Sequence, residues 1–347
     1  MDKYQLKLTN SQFATEHMIH DRLLNSYLRT DNPQEADFFF VPLFPMGIVY
    51  KYKKVSDSEK QRLLDSISSY IPSKLRSTAC TGDRYDEKWC KRLKYQAGVL
   101  KYALSLLNHW HIENSGGTRH IFIFPGGDQQ NMFQNWREEI GQSVHLLVEG
   151  YYGSNLQTEE HKKFAQHRAE MDIIIPGGGD YDTMYSNKIE RKRTVFLSYC
   201  GHTYGSRERE RALVFIKLLR QHGKKVIFQE TCTKKQFLRN LQISRYCLAP
   251  AGSTPWTARL YGSIAQLCIP VLFNKDLFAV PYRLEEIFSS MSVRFSSTQR
   301  PEMSVMELLS NEYEKTYNYL HAARDKFSLN HSIPELHREL SRIKCKN

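Results

Sequence analysis

The stretch from Tyr246 to Tyr282 constrains the fold more than any other part of this 347-residue chain. Tyr246 to Ala249 is a short apolar run that ends at Pro250, and Gly252, Ser253 and Thr254 then supply a flexible turn carrying two hydroxyls. Pro255 and Trp256 open a helix, because proline suits the first helical position. Cys268 to Phe273 returns as an uninterrupted apolar strand, and Pro281 closes the segment after it. Strand, turn, helix and strand make a βαβ unit. The first turn of its helix leaves N–H groups unpaired at the positive end of the dipole, which is where an anion is held. Arg259, about one turn into the helix, adds a forked and permanently charged donor. Gly-Ser-Thr-Pro is also ordinary turn chemistry, so spacing alone does not separate an anion site from a plain connection.

The rest of the chain repeats this alternation. Apolar runs at Phe38–Val41, Ile121–Phe124, Val144–Val148 and Asp172–Ile175 are separated by helical patterns at Asp57–Tyr70 and about Arg92–Trp110. Short continuous runs are what parallel strands buried on both faces require. A charged stretch from Asp182 to Arg193 reads as a linker. The pattern then restarts with Val195–Tyr199, a helix over about Ser206–His222, Val226–Phe228 and a helix near Thr233–Leu241. The tail from Ser304 to Phe327 is helical by period, and a last basic helix begins at Pro334. The expected class is α/β, with two Rossmann-like domains facing a central cleft. Residues 1–185 form the acceptor-side domain, 186–303 the nucleotide-binding domain, and 304–347 the C-terminal helices.

At 41% apolar and 12% aromatic residues the chain can bury sizeable cores. Its formal charge of +12 favours anionic partners without choosing among nucleotides, acidic glycans and nucleic acid. No nucleic-acid module is recognisable, so no nucleic-acid partner is expected. Lys51, Lys53 and Lys54, and Lys188, Arg191, Lys192 and Arg193, read as solvated loop faces. No stretch approaches the length of a membrane span, and the first thirty residues are polar rather than signal-like. Of the seven cysteines, Cys80 and Cys90 bracket a polar loop and read as a disulfide. Cys200, Cys247 and Cys268, in or beside apolar strands, read as buried and reduced. No zinc spacing occurs.

Cys247, Leu248, Pro250, Gly252, Arg259, Cys268, Pro270 and Val271 match a pattern, C-L-x-P-R-G…R-x-x-E-A…C-x-P-V, of the exostosin family of glycosyltransferases. Thr15-Glu16-His17, Arg29-Thr30 and the run Pro33-x-Glu35-Ala36-Asp37 to Pro42 resemble that family's opening block, and HIFIFPGGD, NWREEI, VEG and DIIIPG resemble its middle. The resemblance covers most of the chain. It implies a GT-B architecture, an inverting transfer of sugar from a nucleoside-diphosphate sugar to a glycan or glycoprotein, no cofactor and no metal, and the Golgi lumen. It leaves room for a complex with another glycosyltransferase. Family members usually carry an N-terminal signal anchor and a first strand, for which only about a dozen residues stand here before Thr15. The expectation is therefore a truncated product, an excised catalytic region or a relative with another location.

Such a transfer needs a cradle for the departing diphosphate and a base for the acceptor hydroxyl. For the cradle the candidates are Gly252, Ser253, Thr254, Trp256 and Arg259, together with the Arg209 or Arg211 of a second strand–turn–helix at Cys200–Arg211. Intrahelical salt bridges are the competing explanation of those arginines. The candidate bases, all in the first half, are Glu149, preferred because the family shows Glu-Gly there, then Asp128 and His17. Asp180-Tyr181-Asp182 mimics the metal motif of another glycosyltransferase fold and reads as a loop cap. Two departures stand out: the family's Pro-Arg-Gly is Pro250-Ala251-Gly252, and its Arg-x-x-Glu-Ala carries Gly262 in place of the Glu. They motivate the alternative of a catalytically degenerate member that binds glycan or a partner subunit. Nucleotide-fold fingerprints for nicotinamide or triphosphate chemistry are missing from the sequence.

Overall fold

Each apolar run becomes a short strand, and every strand pairing is parallel. The computed structural model describes residues 14–344 apart from 74–86, 108–116, 126–132, 134, 149, 151–166, 179–183, 186–188, 190–191, 204–206, 252–256, 274–278 and 297. The first sheet has the order β1-β2-β3-β4, from β1 (Phe39–Phe40), β2 (His120–Phe124), β3 (Val144–Leu147) and β4 (Ile173–Ile174). Ile121 lies opposite Val144, and Leu146 opposite Ile173. Both faces of β2 and β3 are buried, as the absence of polar alternation requires. Around this sheet run α1 (Thr15–Leu24), α2 (Pro45–Lys54), α3 (Asp57–Ser66), α4 (Glu87–Ser105) and α5 (Trp136–Ile140). Ser56 caps α3 by accepting the Glu59 amide, which explains where that helix begins.

The second sheet has the order β6-β5-β7-β8-β9. Along the chain come β5 (Val195–Cys200), α6 (Arg207–Gln221), β6 (Val226–Gln229), α7 (Lys234–Ile243), β7 (Ser244–Leu248), α8 (Ala258–Ala265), β8 (Ile269–Leu272), α9 (Glu285–Ser290) and β9 (Val293–Arg294). A full capping box, Thr233 with Gln236, starts α7. The fold is therefore α/β with two Rossmann-like parallel sheets, as expected. The α-helices that follow among the described residues are α10 (Pro301–Leu309), α11 (Tyr313–Ala323) and α12 (Ile333–Lys344). The tail over 304–327 is helical, as expected, in two α-helices and a final 3-10 turn at Arg324–Phe327. The chain turns at Asn311, whose carboxamide oxygen accepts the Tyr246 hydroxyl at 3.0 Å and the Thr316 hydroxyl at 3.3 Å.

One continuous core runs from Ile121, Val144 and Ile173 through Leu197, Tyr246 and Val271 to Leu320 and Leu336. From α12, Arg342 reaches Glu170 and Lys344 reaches Asp37, so the C-terminal helix touches the first half again.

Two expectations need correction. Cys200, Cys247 and Cys268 are not reduced: Cys200 pairs with Cys232 and Cys247 with Cys268, at Cα separations of 6.2 and 5.7 Å. The pairing follows from sheet register, since β5 sets Cys200 beside Gln229 on β6, three residues ahead of Cys232. Cys90 is disulfide-bonded, while Cys80 falls outside the described residues. Arg193 is not on a solvated face. It is buried and donates to the carbonyls of Leu241, Ser244 and Gln266, where α7 and α8 end. Lys192 is exposed as expected, and Lys188 and Arg191 lie outside the described residues. Met184, in the expected linker, packs with Leu241, Cys247, Ala265 and Cys268.

Candidate functional site

The order of the second sheet selects where a ligand belongs. From β5 the chain passes to β6 on one side and then crosses to β7 on the other, so the connections leaving β5 and β7 diverge at their carboxyl ends. Crevices at such switch points are where doubly wound sheets bind ligands.

Arg259 is there. Thr257 caps α8 by accepting the Arg259 amide, so the helix opens at Ala258 and Arg259 lies in its first turn rather than a turn further in. The guanidinium donates through Nε to the Cys200 carbonyl at 2.6 Å and through Nη1 to the Thr257 hydroxyl at 3.3 Å. It also sits 5.5 Å above the Tyr199 ring centre. Gly201 makes this possible. A Cβ on Gly201, whose φ is +156°, would lie 2.1 Å from Arg259 Nη2. Burial pushes the Tyr199 phenol up, and the charges of Arg259 and Arg209 pull it back, so both arginines act on the end of β5. Arg211 projects elsewhere. It donates to the Ser296 carbonyl at 3.0 Å, approaches the Ser304 hydroxyl and lies 4.9 Å from the Phe273 ring centre, beyond β8 and β9.

On the first sheet, α1 begins at the carboxyl ends of the strands. Thr15 accepts the amide of Gly178, past β4, at 2.7 Å, and buried Glu16 accepts the amide of Gly47, past β1, at 3.2 Å. His17 stacks on Phe44 with ring centres 4.6 Å apart. Burial lowers the His17 pKa, outweighing the raising effect of Asp21, with His20 lowering it further, so the imidazole holds a proton less readily than a free one. The two sheets meet by their carboxyl-end loops: the Ala279 amide, after β8, donates to the Gly150 carbonyl, after β3, at 2.9 Å. Gly150 is needed at this junction, where a Cβ would lie 2.7 Å from Ile174 and 2.8 Å from His167.

The family model for the Exostosin GT47 domain matches residues 2–311. The chain belongs to the exostosin GT47 family. Among its relatives, a rice protein named probable glucuronosyltransferase (Oryza sativa subsp. japonica) is 23% identical over 291 residues, covering 80% of this chain and 60% of its own length. A probable arabinosyltransferase of Arabidopsis thaliana is 23% identical over 312 residues, with 86% and 58% covered. A probable beta-1,4-xylosyltransferase of the same plant is 22% identical over 282 residues, with 77% and 58% covered. The chain thus spans less than two thirds of the length of these relatives. The solved N-terminal domain of the trehalose-6-phosphate phosphatase of Candida albicans aligns over 96% of this chain and 94% of its own, with 8% identity and a TM-score of 0.48.

The exostosin positions divide into two groups. Arg209, Arg259, His17 and Arg211 are among the described residues: Arg259 at the end of β5, Arg209 in the first turn of α6, His17 at the first sheet and Arg211 beyond β8. Asp128, Glu149, Gly252, Ser253, Thr254 and Trp256, with Asp180 and Asp182, lie outside the described residues. Of the residues flanking Glu149, Val148 is buried and the Gly150 carbonyl accepts the Ala279 amide. At Gly262 the nearest atoms to a side chain would be Leu241 Cδ1 and the Phe237 ring, at 3.3 to 3.4 Å. Apolar carbon fills the direction in which the family's Glu would leave the helix. Sequence reasoning passed over Tyr199 and Glu208, and saw Gly201 only as one of the glycines of the second strand–turn–helix. Glu208 Oε2 accepts the Ala251 amide at 2.7 Å, and the only signal for it was a helix-opening acidic residue next to the candidate arginines. Among the described residues no helix is long and apolar enough to cross a membrane.

Proposed function

We propose that this chain is an inverting glycosyltransferase that moves a sugar from a nucleoside-diphosphate sugar to a hydroxyl of a glycan or glycoprotein. The observation that carries the reading is the Arg259 guanidinium, fixed by the Cys200 carbonyl and seated on Gly201 at the switch point of the second sheet. In this mechanism Arg259 and Arg209, with the amides and hydroxyls of the Gly252–Thr254 turn and Trp256 beside it, hold the diphosphate. The acceptor oxygen forms a bond to the anomeric carbon as the carbon–oxygen bond to the diphosphate breaks. The electron pair leaves with the diphosphate, and the proton passes to Glu149, or failing it Asp128 or His17, across the junction. Residues 1–185 present the acceptor and 186–303 the donor. Arginines and helix ends take the part of a metal, so no divalent ion is required. The disulfides suit an oxidising compartment such as the Golgi lumen.

Uronic acid and pentose donors are the first to test, given the names of the relatives. Incubation with uridine-diphosphate glucuronate, xylose and arabinose and an oligosaccharide acceptor is expected to release nucleoside diphosphate with one donor. The product anomer is inverted, and a chelator has no effect. Manganese-dependent transfer overturns the metal-free mechanism. Failure to bind any nucleoside diphosphate leaves the degenerate glycan-binding or partner subunit as the reading, in keeping with Phe237 at the Gly262 position.

A further inference from the structure

A row of aromatic rings runs along the amino ends of the second sheet, at the opposite end of the strands from the donor crevice. Between ring centres, Phe196 on β5 lies 5.1 Å from Tyr246 on β7, and Tyr246 lies 5.7 Å from Tyr313 at the start of α11. Tyr317, one turn along α11, continues the row 5.8 Å from Tyr313. Tyr246 is buried and its hydroxyl is bonded to Asn311, whereas Phe196, Tyr313 and Tyr317 stay partly exposed. Cations stand over the row. Lys224 Nζ is 5.3 Å from the Phe196 ring centre, and the Arg245 guanidinium is 5.2 Å from that of Tyr313. Sheet register adds a third, because Leu197 lies opposite both Val226 and Tyr246. The exposed Lys225 and Arg245 therefore flank Phe196 from either side, with their backbones roughly 10 Å apart.

Packing of the rings against one another explains the row but not the charge above it. Among the described residues, none of Lys224, Lys225 and Arg245 forms an ion pair with a carboxylate. Of the carboxylates at the start of α11, Glu312 pairs with Lys315 and Glu314 acts on Tyr313. Arg193 lies 6.0 Å from the Tyr317 ring centre but is buried and engaged by backbone carbonyls, so it supports the row rather than a ligand. We propose that this row is a secondary glycan site, where a polysaccharide bearing uronic acids lies along the rings with its carboxylates on Lys224, Lys225 and Arg245. Pyranose rings present C–H faces to aromatic surfaces, and ammonium and guanidinium groups match carboxylates repeated along a chain. The disulfides suit an oxidising compartment, where acidic glycans rather than nucleic acid are the long polyanions. The choice of a glycan rests on the proposed sugar transfer, but the site does not include the donor crevice, which is a strand's length, roughly 20 Å, away. A chain anchored there stays near the crevice between transfers, at a raised effective concentration.

The test is calorimetric titration of a long oligogalacturonate, a neutral oligogalactan of matched length and a single-stranded oligonucleotide, at low and high salt, with uridine diphosphate titrated separately. The proteins are the wild type, the double variant Lys225→Ala with Arg245→Ala, and Tyr317→Leu, each checked by thermal unfolding. The wild type is expected to prefer the oligogalacturonate to the neutral chain and to bind it more weakly at high salt. The double variant is expected to lose roughly tenfold in that affinity and Tyr317→Leu roughly threefold, with binding of uridine diphosphate unchanged in both. If Tyr317→Leu does not fold, the double variant decides the matter alone, since both its positions are exposed. Wild type that ignores the oligogalacturonate, or a folded double variant that binds it like the wild type, overturns the site. Equal affinity for the neutral chain, or tighter binding of the oligonucleotide through the same residues, overturns the choice of an acidic glycan. Wild type that binds the oligogalacturonate through these residues but no uridine diphosphate removes the donor site and leaves this one standing.

Discussion

Arg259 and Gly201 form a pair in which neither residue is explicable without the other. The guanidinium occupies the volume that any Cβ at 201 would need, with 2.1 Å between them. Replacing Gly201 with alanine must therefore displace Arg259 or bend β5. Nucleotide affinity is expected to fall by roughly tenfold or more, at a stability cost of about 1–3 kcal/mol for overpacking. Titration calorimetry paired with thermal unfolding checks both, and unchanged affinity would mean that the guanidinium is free to leave. Arg259→Lys retains the charge but not the fork that bonds Cys200 and Thr257 together. It is expected to recover little of the roughly ten- to hundredfold loss of Arg259→Ala, read as Kd for nucleoside diphosphate.

Among the elements, the strands were legible because a strand buried on both faces has no alternative to a continuous apolar run, as at His120–Phe124 and Val195–Cys200. Their partners in space were not legible. The Cys200–Cys232 bridge depends on β6 lying beside β5 in register, which no local pattern encodes, so apolar flanks pointed to reduced thiols. Arg193 was misread for the same reason: the carbonyls it satisfies belong to helix ends about fifty to seventy residues later. Of the candidate site, Arg259 was visible as a charge near a helix start, but its cap at Thr257 and its seat at Gly201 were not. The bridges make a testable contribution. Closing loops of 32 and 21 residues stabilises the fold by about 3–4 kcal/mol each on the chain-entropy model. Cys232→Ser, leaving the second bridge intact, is expected to lower the denaturation midpoint by an amount of that order. An unchanged midpoint would mean that the turn before α7 is already fixed by the Thr233 capping box.

The whole molecule depends on histidines kept neutral inside it. His167, beside the junction of the two sheets, has its pKa lowered to about 4, first by burial and then by the Arg283 charge. His145 is lowered well below the usual range by burial and then by Arg168. At pH 7 both are neutral whether folded or not, and stability is unaffected. As pH falls below 6.5 the unfolded chain takes up protons that the folded chain refuses, so stability drops until the folded pKa is reached. Asp172, raised by burial despite Arg168, works in the opposite sense near the acid end of that window. Thermal midpoints are expected to fall between pH 6.5 and 4, and His167→Asn to flatten that slope. A wild-type midpoint that is level over this range would contradict it.

The proposed donor diphosphate lies across the carboxyl ends of β5 and β7. Hydrogen exchange read along the whole chain, with and without saturating uridine diphosphate, locates it directly. Slowed exchange is expected over residues 199–211 and 249–261. Slowing confined to the first sheet, in a protein shown to bind the nucleotide, would contradict it.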